Sequence, residues 1–291
     1  MMNATLAKVI STAISDAIGS IFIGTEHQPV SGGDINQAFL LSDGQQSYFI
    51  KLNTAAKLDM FVTEAQSLTT IRQSDSIRAP RPITHGRSGA HAFLVLKTID
   101  FSPPASDGWQ QMGQQLAALH RQTAEQFGWP NDNTIGSTPQ HNTWTANWIE
   151  FFREQRLRPQ FELAHKNGLQ LPQSDTLLQH VATLLKDHSP AASLLHGDLW
   201  GGNVSFCDDG APVLFDPASY YGDRETDLAF SEYFGGFSPE FYQSYNEAWP
   251  LPAGYQQRKK LYNLYHVLNH ANLFGGNYIT EAQQLIFQLL S

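Results

Sequence analysis

The chain has 291 residues, of which 41% are hydrophobic and 15% charged, with 18 Phe and 6 Trp. That is enough apolar residue for one large core or two moderate ones, and it excludes a disordered or fibrous protein. The formal net charge is -9, from 18 Lys and Arg against 27 Asp and Glu, so a polyanionic partner such as nucleic acid is not expected. A single cysteine, Cys207, rules out an intramolecular disulfide, disfavours a cysteine-based zinc site and fits a reducing compartment. The first twenty residues lack the basic start of a signal peptide, and no stretch approaches the ~18 apolar residues of a membrane span. A cytoplasmic protein with no membrane contact is expected.

Residues 4–18 place Leu6, Val9, Ile10, Ala13 and Ile14 at helical spacing, ending at Gly19. Two strand-like runs around Asp43-Gly44 then read as a hairpin, and Gly32 and Gly33 at its mouth would let backbone approach a ligand. Residues 57–72 form an amphipathic helix with Glu64 near its middle, and residues 92–99 a buried strand. The polar, proline-bearing stretch 100–104 marks a boundary. The expected partition is an N-terminal nucleotide-binding lobe over 1–96, a hinge and linker over 97–104, and a C-terminal catalytic and substrate lobe over 105–291.

Beyond the boundary, helices are expected at 106–124, 142–157, 174–187, 225–234, 238–247, 255–273 and 279–290. Short strands interrupt them at 192–195, 204–206 and 212–215, with Asp208-Asp209-Gly210 as the turn between the last two. The fold class is α+β: a small lobe with an antiparallel sheet and one key helix, followed by a larger, mostly helical lobe.

The chemistry concentrates in Leu194 to Val204, LLHGDLWGGNV. Asp198 is followed five positions later by Asn203, the D-x4-N spacing of a kinase catalytic loop, and Asp216 ends the next hairpin, where a metal-binding aspartate belongs. Phosphoryl transfer needs an aspartate beside the attacking hydroxyl, oxygen ligands for Mg2+ and a lysine on the phosphates of ATP. Lys51 ends a strand thirteen residues before Glu64, so an ion pair could set the lysine. Leu96, Lys97 and Thr98 would form the hinge whose backbone meets adenine. Each signal alone is weak, and their order along the chain is what makes them a set. Val267 stands between His266 and His270 where a zinc protease needs glutamate, and no Walker, dinucleotide or hydrolase-elbow motif is present. Asp227 suits a structural role, bonding the catalytic loop.

These residues resemble the fructosamine kinase (ketosamine-3-kinase) family, within the aminoglycoside and choline phosphotransferase group of protein-kinase-like two-lobe folds. The resemblance rests on His196-Gly-Asp-Leu-Trp-Gly-Gly-Asn203, Phe215-Asp-Pro and Gly222-Asp-Arg-Glu-Thr-Asp-Leu-Ala229. Gly32-Gly-Asp-Ile-Asn36, the stretch from Asp132 to Gln160, and Leu264 to Gly275 narrow it further, and it spans about residues 25 to 278.

The resemblance implies ATP-dependent phosphorylation of the C3 hydroxyl of a ketosamine, free or protein-bound, as deglycation repair. A related kinase acting on an aminoglycoside, choline or sugar is the alternative. It implies Asp198 as proton acceptor, Asn203 and Asp216 as metal ligands, and Lys51 with Glu64 as the ATP-positioning pair. Trp200 and His196 are candidates for substrate contact, and a monomer or weak dimer is expected. Some relatives carry a cysteine in the glycine-rich turn that links two chains; Asp34 occupies that place here, so this route of redox control is not expected.

Overall fold

The computed structural model describes residues 2–31 and 35–291, so the expected roles of Gly32, Gly33 and Asp34 fall outside the described residues. Helix α1 (Ala4–Ile18) begins at Asn3, whose side chain accepts the Leu6 N–H at 2.9 Å, and closes on Gly19 at φ 70°. Five strands follow, with a helix between the third and fourth: β1 (Glu26–Val30), β2 (Gln37–Ser42), β3 (Ser47–Thr54), α2 (Leu58–Gln73), β4 (Pro82–Ser88) and β5 (His91–Lys97). They form one antiparallel sheet in the order β1-β2-β3-β5-β4.

Alternation along β3 explains how one strand serves both core and chemistry, because successive side chains leave a strand on opposite faces. Tyr48, Ile50 and Leu52 join Phe93 and Val95 of β5 in a cluster with Leu6, Ile10 and Ile14 of α1. Each such fully buried apolar side chain contributes about 1.5–3 kcal/mol. Lys51 takes the opposite face, where α2 brings Glu64. Residues 92–96 of β5 are all buried, which is why they read as an unbroken apolar run.

After β6 (Phe101–Ser102) the chain becomes largely helical. Helix α3 (Gly108–His120) leads through β7 (Thr123–Ala124), β8 (Asn133–Ile135) and β9 (Thr138–Gln140) to α4 (Trp148–Phe151). A π-helical turn over Phe152–Leu157 joins α4 to α5 (Arg158–Lys166), and α6 (Ser174–Leu184) follows. Strands β10 (Ala192–Leu194), β11 (Val204–Cys207), β12 (Pro212–Leu214) and β13 (Tyr221–Gly222) precede α7 (Glu225–Ser231), α8 (Pro239–Ala248), α9 (Tyr255–Phe274) and α10 (Asn277–Leu290). Among the described residues no helix is long and apolar enough to cross a membrane.

The chain forms two compact units, 1–105 with 205–216, and 106–204 with 217–291. This differs from the expected partition in two respects: the 97–104 linker belongs to the first unit, and so does the hairpin ending at Asp216. The physical reason is strand pairing. Phe206 and Cys207 of β11 pair with Ser102 and Phe101 of β6, and Val213 of β12 bridges Arg78. The expected helix over 142–157 also begins later, at Trp148, because Thr145 exchanges backbone hydrogen bonds with Phe127 and Asn147 caps the helix. Trp144 therefore lies outside the helix, 40% exposed, while Trp148 is buried in the core.

Candidate functional site

In the first unit Lys51 Nζ lies 2.6 Å from Glu64 Oε1 and 2.6 Å from Asp216 Oδ1. Burial alone would lower the ammonium's pKa, but the charges of Asp216 and Glu64 outweigh it and hold the group above its ordinary value. Glu64 is pushed up by burial, and Asp216 adds to that, while Lys51 pulls it down. Asp216 is exposed, and its backbone occupies the left-handed region at φ 56°. Aspartate tolerates that region better than most residues, yet it still costs on the order of 1 kcal/mol, a cost commonly met where a side chain must be aimed.

In the second unit the segment 196–203 is held from below by Asp227, which is 1% exposed. Its two carboxylate oxygens accept the His196 N–H at 2.7 Å and the Gly197 N–H at 2.8 Å. Burial opposes the charge, but the hydrogen bond from His120 and the nearby histidines and N–H groups keep the Asp227 pKa below its ordinary value. His120 is fixed in turn by the Tyr245 hydroxyl at 2.8 Å, which accepts from Arg224 at 3.0 Å. Asp227 thus does what the sequence suggested for it. Gly197 has φ 84°, and a Cβ there would fall 2.1 Å from the Ala218 carbonyl oxygen, so only glycine fits between histidine and aspartate.

Asp198 is partly exposed at the end of this anchored segment. Asn203 Nδ2 donates to the Asp198 carbonyl at 2.8 Å and to Asp198 Oδ2 at 3.0 Å, so the D-x4-N spacing closes into a direct contact. The 3-10 turn Gly201–Asn203 brings Asn203 back. Trp200 folds over Gly202, where any Cβ would meet its ring at 2.2 Å, and its ring centroid lies 5.3 Å from that of Phe234. His196 is 0% exposed and its Nδ1 accepts the Asp198 N–H at 3.3 Å, so it helps shape the loop.

A buried polar network behind this loop carries no signal in the D-x4-N motif. Arg156, fully buried in the π-helical turn, lies 3.9 Å from the Tyr220 ring and donates to Asn142 Oδ1 at 2.7 Å. Asn142 and Gln140 both donate to Asn133 Oδ1, and Asn133 and Gln140 donate to the carbonyls of Ser219 and Ala218. Ala218 N–H bonds the His196 carbonyl, so the network ends on the 196–203 loop. The polar residues within 132–160 that support the family resemblance therefore act as scaffold. A signal existed: three amides and an arginine amid buried aromatics are costly unless they satisfy one another.

His188, Asp223 and Glu225 also cluster at metal-ligand distances. Their charges are already matched: Arg258 donates twice to Glu225, at 2.6 and 2.8 Å, and Asp223 Oδ2 receives Tyr262 at 2.6 Å and faces His188 Nε2 at 2.6 Å. The cluster is a buried ion-pair network of the second unit.

The residues present suit Mg2+ and a nucleotide. Asn203 uses only its amide nitrogen in the loop, leaving Oδ1, and Asp216 Oδ2 has no partner among the described residues. Both are the hard oxygen donors that Mg2+ prefers. At the expected hinge, Thr98 Oγ1 is buried without a hydrogen-bond partner among the described residues. Leu96 is buried, and the Lys97 N–H is already given to the Arg81 carbonyl at 2.8 Å, so of the three hinge N–H groups that one is spent on the sheet.

The family model described as fructosamine kinase matches residues 6–291. The chain belongs to the fructosamine kinase family. It is 49% identical over 284 residues to a provisionally named ketoamine kinase of Synechocystis, covering 97% of this chain and 96% of that one. A provisionally named ketoamine kinase of Vibrio cholerae is 46% identical over 280 residues, at 96% and 97% coverage. A crystal structure of a provisionally named fructosamine-3-kinase from Haemophilus somnus superposes with a TM-score of 0.92 at 33% identity, covering 97% of each chain. Aminoglycoside phosphotransferase APH(4)-Ia, solved with ADP and hygromycin B, shares the fold alone, with a TM-score of 0.60 at 16% identity over 97% of each chain. This fructosamine kinase family member is thus a kinase of the protein-kinase-like fold, an ATP-dependent phosphotransferase.

Proposed function

We propose that the enzyme transfers the γ-phosphoryl group of ATP to the C3 hydroxyl of a ketosamine of the ribulosamine or fructosamine type, as a step in deglycation. The observation that carries this reading is the contact of Asn203 with Asp198 on a loop whose N–H groups are clamped by Asp227. A carboxylate held in this way orients a hydroxyl by accepting its hydrogen bond. It takes the proton late, as the bond to phosphorus forms. Lys51, kept charged by its two carboxylates, serves the phosphates of ATP, and Glu64 fixes its direction. Asn203 and Asp216 are the residues that would offer oxygens to Mg2+, and a bound Mg2+ would offset the negative charge repelling the attacking oxygen. Trp200 supplies a partly exposed aromatic face for the sugar or for the cationic amine.

The test is a phosphotransfer assay on ribulosamine, fructosamine and erythrulosamine, with choline and an aminoglycoside as controls. Product carrying phosphate at C3 of a ketosamine is expected. Turnover of choline or aminoglycoside with none of any ketosamine would overturn the substrate class. Asp198→Asn should lower kcat by at least about a hundredfold while ATP affinity stays within about twofold. Retained turnover would remove Asp198 from the chemistry.

A further inference from the structure

Within the first unit a cleft of about 480 Å3 lies where the end of α1, the start of β3, the end of α2 and the ends of the β4–β5 pair converge. Arg72, Arg78, Arg81 and Lys97 all line it, four of the 18 basic residues of a chain whose net charge is -9. Arg78 is matched by Asp209 at 2.8 Å. Arg72 donates to the Ala79 carbonyl at 2.9 Å, and Lys97 Nζ lies 5.3 Å from the centroid of the Tyr48 ring. Among the described residues, neither Arg72, Arg81 nor Lys97 is paired with a carboxylate.

Three unmatched cations around one concavity repel one another, and an acidic protein has carboxylates enough to separate them; an anion between them removes the repulsion. Ile18, Ile99 and the Tyr48 ring add an apolar lining, which free ions do not need and a small organic body does. Guanidinium forks and an ammonium match phosphate oxygens, and three positive charges match a di- or trianion. The cleft shares no residue with Lys51, Glu64 or Asp216; it shares Lys97 with the expected hinge, but the Lys97 N–H is already given to the Arg81 carbonyl at 2.8 Å, and Tyr48 and Lys51 leave β3 on opposite faces.

We propose that this cleft is a binding site for a small phosphate-bearing anion, a sugar phosphate or a diphosphate, distinct from the nucleotide site. The cations grip the phosphate and the apolar lining takes the carbon skeleton of a phosphate ester.

The full chain is titrated calorimetrically, without nucleotide or Mg2+, with ribose 5-phosphate, pyrophosphate and citrate at matched ionic strength. Saturable binding of at least one phosphate ligand is expected, weakened at least about tenfold in the Arg72→Gln/Arg81→Gln double variant and unchanged in Lys51→Met. Both arginines are exposed, so the double variant should keep its fold, which its thermal transition verifies. Stronger binding of ribose 5-phosphate than of pyrophosphate points to a sugar phosphate, and the reverse to a diphosphate. Absence of saturable binding, or binding that survives in the double variant, overturns the site. Loss in Lys51→Met instead would place the anion with the nucleotide, and tighter binding of citrate than of both phosphates would overturn the ligand class.

Discussion

Lys51 is buried between two carboxylates, and a buried charge survives folding only when such partners compensate its lost hydration. His266 shows the opposite solution: it stays neutral. Its ring stacks on Phe230 at 3.7 Å with the planes 5° apart, and burial, helped by His270, lowers its pKa to about 3. In the unfolded chain the same imidazole returns to its ordinary 6.5. Between those values the unfolded state binds the extra proton, so stability is full above the unfolded pKa and falls as the pH drops through the window. From pH 7 to pH 5 this one residue should cost about 2 kcal/mol. His266→Phe keeps a ring against Phe230 and removes the titration, so chemical denaturation at both pH values should show a flatter profile in the variant. Parallel profiles for the two proteins would assign the acid sensitivity to other groups.

At the scale of elements, α3 and α8 pack so closely that no side chain fits between them at Gly113. A Cβ there would lie 2.4 Å from the Phe241 carbonyl oxygen and 2.8 Å from the Tyr245 nitrogen, and backbone cannot step aside. Glycine to alanine in a helix ordinarily gains up to about 1 kcal/mol, so the sign of Gly113→Ala is diagnostic. Overpacking should win by about 1–3 kcal/mol, lowering Tm by several degrees, and an unchanged or raised Tm would mean that the helices can part. His120 of α3 holds Asp227, which bonds the loop carrying Asp198, so the variant's kcat should fall as well. Helices such as α1 and α9 were legible because their apolar spacing is regular. The π-helical turn and the β8–β9 pair were not, since what selects them is the burial of Arg156, Asn133, Gln140 and Asn142 against one another. Period and propensity do not encode which amides will meet. The placement of Lys51 against Glu64 was legible, because a strand followed by a helix leaves few partners for a buried lysine, whereas the full burial of His196 was not, since nothing in its spacing tells a buried histidine from an exposed one.

For the whole molecule, the decisive feature is that the first unit is discontinuous in sequence, and composition gives no sign of it. Proline and polar residues at 100–104 look like a domain boundary, but the unit also draws in 205–216. That hairpin gives Arg78 its strand partner, with the Leu214 N–H on the Arg78 carbonyl at 2.9 Å and Asp209 on the guanidinium. It pairs β11 with β6, sets Phe215 5.6 Å from Phe101, and brings Asp216 to Lys51. A fragment of residues 1–105 therefore lacks both an edge of its core and one of the two carboxylates that offset a buried ammonium. Loss of the half-exposed Asp216 leaves Glu64 alone to offset the buried ammonium and, with the missing edge of the core, draws on the roughly 5–15 kcal/mol that holds a domain together. The fragment is expected to melt without a cooperative transition and with weak near-ultraviolet circular dichroism. Joining 205–216 to it through a short Gly-Ser linker should restore a sharp transition, because the Ala105 N–H already meets the Gly210 carbonyl at 3.2 Å and the connection needs little chain. A cooperative melt of residues 1–105 alone would show that the hairpin carrying Asp216 is dispensable to the unit. The ion triad would then be an addition to a lobe that is stable without it.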